Sequence, residues 1–132
     1  MSFEFFSNKG NFFKGNLHGH SSYSDGKLTP EDVCNAYIEK GYDFISITDH
    51  FLKMFNYPIT SPELKIKNFT VIPGAELHTS KMENGELWHL LALGLNDKFK
   101  PPDQPNFLIN IKSEYIENLS SRLFDAGAFV SL

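Results

Sequence analysis

At 132 residues and 15.0 kDa the chain has the size of one ordinary domain, with enough residues to bury a core unaided. Hydrophobic residues at 41% and charged residues at 21% exclude disorder and fibrous repeats. A formal net charge of -4 without any basic run makes nucleic acid an unlikely general partner, and no apolar stretch approaches the roughly 20 residues that span a bilayer.

The opening MSFEFFSNKG lacks the charged and long apolar regions of a secretion signal, so a cytoplasmic location is expected. Phe3, Phe5 and Phe6, then a Ser-Asn-Lys-Gly turn, then Phe12 and Phe13 running into Asn16, Leu17 and His18 predict extended segments whose phenylalanines pack in the core. Thr29 suits a helix N-cap, Pro30 the first helical position, and Glu31 and Asp32 the first turn. Val33, Ala36, Tyr37 and Lys40 continue that helix to a stop at Gly41. The lone cysteine, Cys34, has no partner for an internal disulfide and is expected to be buried on this helix.

Phe44 to Ile47 alternates and is β-branched, which predicts a short strand running into Thr48, Asp49 and His50, so that helix and strands form a βαβ unit. Pro58 and Pro62 leave residues 51–69 without an assigned element, with Phe51, Phe55 and Tyr57 lining a loop or capping a barrel mouth. Thr70 to Leu77 and Leu87 to Leu93 are predicted strands joined through an Asn84-Gly85 turn. A proline-rich connector at 100–105 precedes a helix expected from about Asn106 to Ala126 and stopped by Gly127. Ala128 to Leu132 is expected to be a buried strand.

The polar residues with metal-binding chemistry fall on strands or just after them: His18 and His20, Asp49 and His50, Glu76, and His89. In α/β folds the strand ends collect ligands. In His18-Gly19-His20 the alternation of an extended chain turns both imidazoles to one side. Imidazole and carboxylate together suit zinc, manganese or iron better than calcium or magnesium. Glu76 has two oxygens with which to bridge cations. His78, two residues after Glu76, faces the same way and could touch substrate. Trp88 is expected to pack, and Lys27, Lys53 and Lys81 to be solvated.

The ordered set Asn16 to Gly26 (NLHGHSSYSDG), Ile47 to His50 (ITDH), Pro73 to Glu76 (PGAE) and Trp88 to Gly94 (WHLLALG) resembles the PHP (polymerase and histidinol phosphatase) domain family from about residue 14 onward. The resemblance implies an α/β fold, a distorted (β/α)7 TIM-like barrel, with up to three divalent metals (zinc, manganese or iron) at its strand ends. It also implies phosphoesterase activity on a small phosphorylated molecule or nucleotide, by attack of a metal-activated hydroxide on phosphorus. By the same resemblance His18 and His20 are the first metal ligands, Glu76 completes that site and bridges to a metal also held by His89, and Asp25 and His50 match the third position. Asp49 is expected to orient a ligand rather than bind metal. The family's later His-Pro and Asp-x-His motifs do not follow, so residues 1–132 are expected to be the N-terminal portion of such a domain, apparently truncated, with an incomplete barrel. Two other readings stay open: a non-catalytic or partner-dependent module, and a carboxyl-ester or carbamate hydrolase. Oligomeric state is not legible.

Overall fold

A computed structural model describes residues 10–61, 68–81, 85, 87–100 and 116–132. In chain order the elements are β1 (Gly15–Asn16), α1 (Pro30–Glu39), β2 (Phe44–Ile47), a 3-10 turn (Lys53–Phe55), β3 (Thr70–Lys81), β4 (Leu87–Leu93), α2 (Ile116–Asp125) and β5 (Phe129–Ser131). The five strands form one sheet in sequence order. β1, β2 and β3 pair in parallel, whereas β4 runs antiparallel to both β3 and β5. The parallel β1–α1–β2 unit follows the sequence expectation, and the curled sheet with its helices has the form of a partial TIM-like barrel.

Local chemistry sets the ends of α1. The Thr29 hydroxyl accepts the Asp32 N–H at 3.2 Å and donates to the Asp32 carboxylate at 2.8 Å, and Gly41 takes the left-handed conformation that ends the helix, at φ +71°. Gly127, at φ +86°, does the same after α2. The expected helix start near Asn106 lies outside the described residues, as do Phe3, Phe5 and Phe6.

The register separates the two faces of the sheet. Ile45 lies beside Val71, Ala75 beside Ala92 and Leu77 beside Leu90, so these side chains share one face by strand alternation. Val33 and Cys34 of α1 pack on Ile45 and Ile47, and Leu119 and Leu123 of α2 pack on Ala75, Leu77, Leu90 and Ala92. Both helices therefore cover the same face. The opposite, interior face carries Ser46, Gly74, Glu76 and His78 on β2 and β3, with His89 opposite His78 on β4. At Gly74 any Cβ would strike the Ser46 hydroxyl and come within 3.0 Å of the Thr48 methyl, so only glycine lets β2 and β3 approach there.

Residues 51–61, which the sequence left unassigned, strap the rim beside β3. Phe51 N–H donates to Glu76 C=O at 2.7 Å, Thr60 N–H to Gly74 C=O at 3.1 Å, and Glu76 N–H to Asp49 C=O at 2.9 Å. Phe51 and Leu52 are buried by this arrangement.

Three expectations change. Phe12 and Phe13, expected in the core, are exposed at 75% and 69%, because β1 is a two-residue edge strand and no described element covers the chain before it. β5, expected to be buried, is among the described residues an edge paired only with β4; its Phe129 faces the interior side, opposite Leu93, and is 67% exposed. Trp88 lies on the helix-covered side of β4 and is 38% exposed, less packed than expected. Among the described residues no helix is long and apolar enough to cross a membrane.

Burial, helped by the charge of Glu31, raises the Cys34 thiol from its ordinary 9.0 to about 11. The fold thus keeps a proton that the unfolded chain loses, so this contribution to stability is whole below about pH 8.5 and disappears as pH rises toward 11. Ellman's reagent at pH 8 should modify Cys34 only as fast as the chain unfolds; immediate stoichiometric labelling of folded protein would contradict this burial.

Candidate metal centre

The site is built on the turn after β1, the end of β2 and the interior face of the β3–β4 pair. His18 and His20 leave β1 in extended chain, and the turn that follows closes on itself: Gly26 N–H donates to Ser21 C=O at 2.9 Å and Ser24 N–H to the same carbonyl at 3.1 Å. A Cβ on Gly26 would lie 2.7 Å from the His20 carbonyl, so the closure requires glycine.

Asp49 fastens this turn to β2. Its carboxylate is fully buried and accepts four hydrogen bonds: the Ser21 N–H at 2.7 Å, the Ser21 hydroxyl at 2.6 Å, the Ser24 hydroxyl at 2.7 Å and the Thr60 hydroxyl at 2.5 Å. With its lone pairs so engaged, Asp49 orders the backbone that carries His20 and Asp25.

Glu76 faces a different set of partners. Its Oε1 lies 2.6 Å from His89 Nδ1, and its Oε2 lies 3.3 Å from His20 Nε2 and 3.1 Å from His50 Nδ1. Asp25 closes the ring, 3.2 Å from His20 Nδ1 and 3.4 Å from His50 Nε2. His18 Nδ1 is 2.6 Å from the Thr48 hydroxyl, which leaves Nε2 as the nitrogen to join His20 and Glu76. His78 is buried on the same face, with Nε2 2.9 Å from His50 Nδ1.

Three groups of donors result: His18, His20 and Glu76; His20, Asp25 and His50; His50, Glu76 and His78. All six residues that the sequence singled out as metal ligands border this one site, His89 through Glu76. The donor set suits a divalent cation. Glu76 Oε2 is buried and accepts no hydrogen bond, although imidazole nitrogens of His20 and His50 stand within 3.3 Å of it. Mixed nitrogen and carboxylate donors are those of zinc, manganese and iron sites.

The electrostatics follow from this crowding. Burial would raise Glu76, but the close approach of the His50 imidazole and the charges of His50, His89 and His78 outweigh it and hold the carboxyl at about 2. His50 is raised, first by its close contact with the Glu76 carboxylate, whereas burial and the neighbouring His50 charge lower His20. Burial, then the charge of His89, pushes His78 down to about 4.

Sequence reasoning missed the hydroxyls. Thr48 and Ser21 lay inside the quoted motifs without a role, Thr60 lay in the unassigned segment, and Phe55, 6.3 Å from His50 and nearly parallel to it, was expected to line a loop or cap a barrel mouth without a link to His50. Lys27 and Lys53 are exposed, as expected.

The sequence profile of the PHP domain matches residues 16–121. Over 78 residues the chain is 36% identical to the DNA polymerase/3'-5' exonuclease PolX of Bacillus subtilis, covering 48% of this chain and 14% of that protein. Over 94 residues it is 34% identical to the 5'-3' exoribonuclease Rnm of Salmonella typhimurium, covering 70% and 30%. The chain thus spans less than a third of the length of either relative. The fold is shared with a two-domain protein of Bacteroides vulgatus containing a predicted PHP-like metal-dependent phosphoesterase, at TM-score 0.56, 21% identity and 89% of this chain against 34% of the other. It is shared also with an amidohydrolase of Chromobacterium violaceum, at TM-score 0.59, 13% identity and coverage of 89% and 65%.

Replacing Asp49 by alanine strands four donors, three of them hydroxyls that can turn elsewhere and one a buried backbone N–H. A loss of about 3 kcal/mol or more is expected, measured by urea denaturation. A loss under about 1 kcal/mol, the size of a single ordinary hydrogen bond, would show that Asp49 does not hold the turn.

Proposed function

Because the chain belongs to the PHP domain family, we propose that it carries part of the active site of a metal-dependent hydrolase, a phosphoesterase acting in the cytoplasm on a small phosphorylated molecule or nucleotide. The observation that carries this reading is the convergence of His20, His50 and His89 on the buried Glu76 carboxylate, with Asp25 bridging two of the same rings. His18, His20 and Glu76 would hold one cation, Asp25 and His50 a second, and Glu76 with His89 a third. When bound, such cations polarise phosphoryl oxygen and make water more acidic.

The chain's own residues supply position. Asp49 keeps the His20 to Asp25 turn in place, and Thr48 holds His18 by its Nδ1. The Glu76 carboxyl, at about 2, stays ionised and ready to pair with a cation across the neutral range. The net charge of -4 and the absence of a basic run favour a small substrate over a long polyanion.

A second reading, cleavage at the end of a nucleic acid strand, is favoured by the names of the two relatives, an exonuclease-bearing polymerase and an exoribonuclease. Both readings place phosphate ester hydrolysis at the same residues.

His20→Ala removes a donor shared by two of the groups. It should weaken Mn2+ binding, measured by titration calorimetry on chelator-stripped protein, by more than about 100-fold, beyond what loss of an outer partner causes. Unchanged cation binding would refute the assignment. Turnover of p-nitrophenyl phosphate or a nucleotide supports the small-substrate reading; release of mononucleotides from a single-stranded oligonucleotide without such turnover favours the second.

A further inference from the structure

We propose that His78 is a positioning residue: its Nε2 accepts the Nδ1–H of His50 and so keeps the Nε2 lone pair of His50 turned toward Asp25 and His20. The inference rests on the metal-centre reading above and assigns a role to a ring that, by alternation alone, could touch substrate.

Strand alternation and pairing put His78 on the interior face, two residues beyond Glu76 and directly opposite His89. It is only 6% exposed, and its ring is packed between two others, with centroids 4.9 Å from His50 and 4.3 Å from His89. Such a ring has little surface to offer a substrate. Its Nε2 points at His50 Nδ1 from 2.9 Å.

A neutral imidazole has one donor and one acceptor. His50 Nδ1 has two acceptors near it, His78 Nε2 at 2.9 Å and Glu76 Oε2 at 3.1 Å, while His50 Nε2 faces Asp25 at 3.4 Å. Asp25 is an acceptor too, but the two nearer acceptors at Nδ1 outweigh it, so the proton belongs on Nδ1 and the lone pair on Nε2, the nitrogen that faces Asp25 and would share a cation with it and His20. Glu76 alone could take the His50 proton, but its carboxylate also serves His20 and His89. With His78 as acceptor, Glu76 Oε2 is left to the group it forms with His18 and His20. The acceptor is uncharged, so it fixes the tautomer without adding another negative charge to a site that already holds Glu76 and Asp25.

The site repeats this device. His18 has its Nδ1 on the Thr48 hydroxyl at 2.6 Å, which presents Nε2 in the same way. Rings that ligate metals generally have their other nitrogen tied to an acceptor of this kind.

The test uses the full chain with its histidines labelled with 15N, in the wild type and in the variants H78L and H78Q. Long-range 1H–15N correlations in cation-free protein report which nitrogen of His50 bears the proton, and calorimetry with Mn2+ reports affinity. The wild type should show the Nδ1–H form. H78L, which cannot accept, should lose that preference and bind Mn2+ about 10–100-fold more weakly, whereas the side-chain carbonyl of H78Q should restore both. A wild-type His50 protonated on Nε2, an H78L that keeps the tautomer and the affinity, or an H78Q as impaired as H78L would each overturn the inference. The two failures are separable. A wild type that binds no Mn2+ overturns the metal-centre reading, and the His50 tautomer in cation-free wild type and H78L still decides the role of His78.

Discussion

A carboxylate buried at the centre of β3 governs this structure. An ionised carboxyl group away from water is costly unless positive charge or donors surround it. The fold meets that demand by turning rings toward Glu76 from three different places: His20 after β1, His50 after β2 and His89 on β4. The result is a carboxyl held at about 2 and therefore charged across the neutral range. What compensates it is open to exchange. Protons on the rings can do so, and a divalent cation can do so with fewer particles and stronger attraction, because it uses lone pairs that protons would occupy.

The second buried carboxylate makes a useful contrast. Asp49 is one residue from His50, yet its hydrogen bonds among the described residues come from serine and threonine hydroxyls and a backbone N–H, which fill its lone pairs. A carboxylate satisfied by neutral donors has little left to offer a cation, whereas one surrounded by imidazoles of adjustable protonation has a great deal. Two acidic residues buried within one site are thus divided by their neighbours into a structural fastening and a cation-binding group. The fastening matters to the chemistry all the same, since the turn it holds carries His20 and Asp25.

Much of this was legible in the sequence, for physical reasons that differ by element. The capping signal at Thr29-Pro30, the alternation of Phe44 to Ile47 and the Leu87 to Leu93 run are local, and the structure has α1, β2 and β4 there. The candidate ligands were legible because polar groups that interrupt apolar strands stand out. Burial of aromatics was less so: Phe12, Phe13 and Phe129 look like core residues by type, but exposure depends on whether another element lies over an edge strand, which no local pattern encodes. The hydroxyls around Asp49 were hidden for a related reason. Thr60 reaches that carboxylate from a proline-interrupted segment with no periodicity, and only the strapping of that segment along β3 brings it there.

The reversal of direction at β4 decides where His89 acts. His89 lies near the start of its strand, which in a wholly parallel barrel would put it at the rim opposite the other ligands. Running antiparallel to β3, β4 instead pairs His89 with His78 and brings its Nδ1 to Glu76 Oε1. His18, His50 and His89 then all have Nδ1 against an acceptor, Thr48, His78 and Glu76 respectively, while His20 has a carboxylate at each nitrogen. A neutral ring has a single lone pair, so His20 can give it to the Glu76 side or to the Asp25 side, but not to both. With the lone pair on Nε2, the Nδ1 proton points at Asp25 and orders it. The two donor groups that meet at His20 are therefore not independent: the state of one fixes the proton that the other sees.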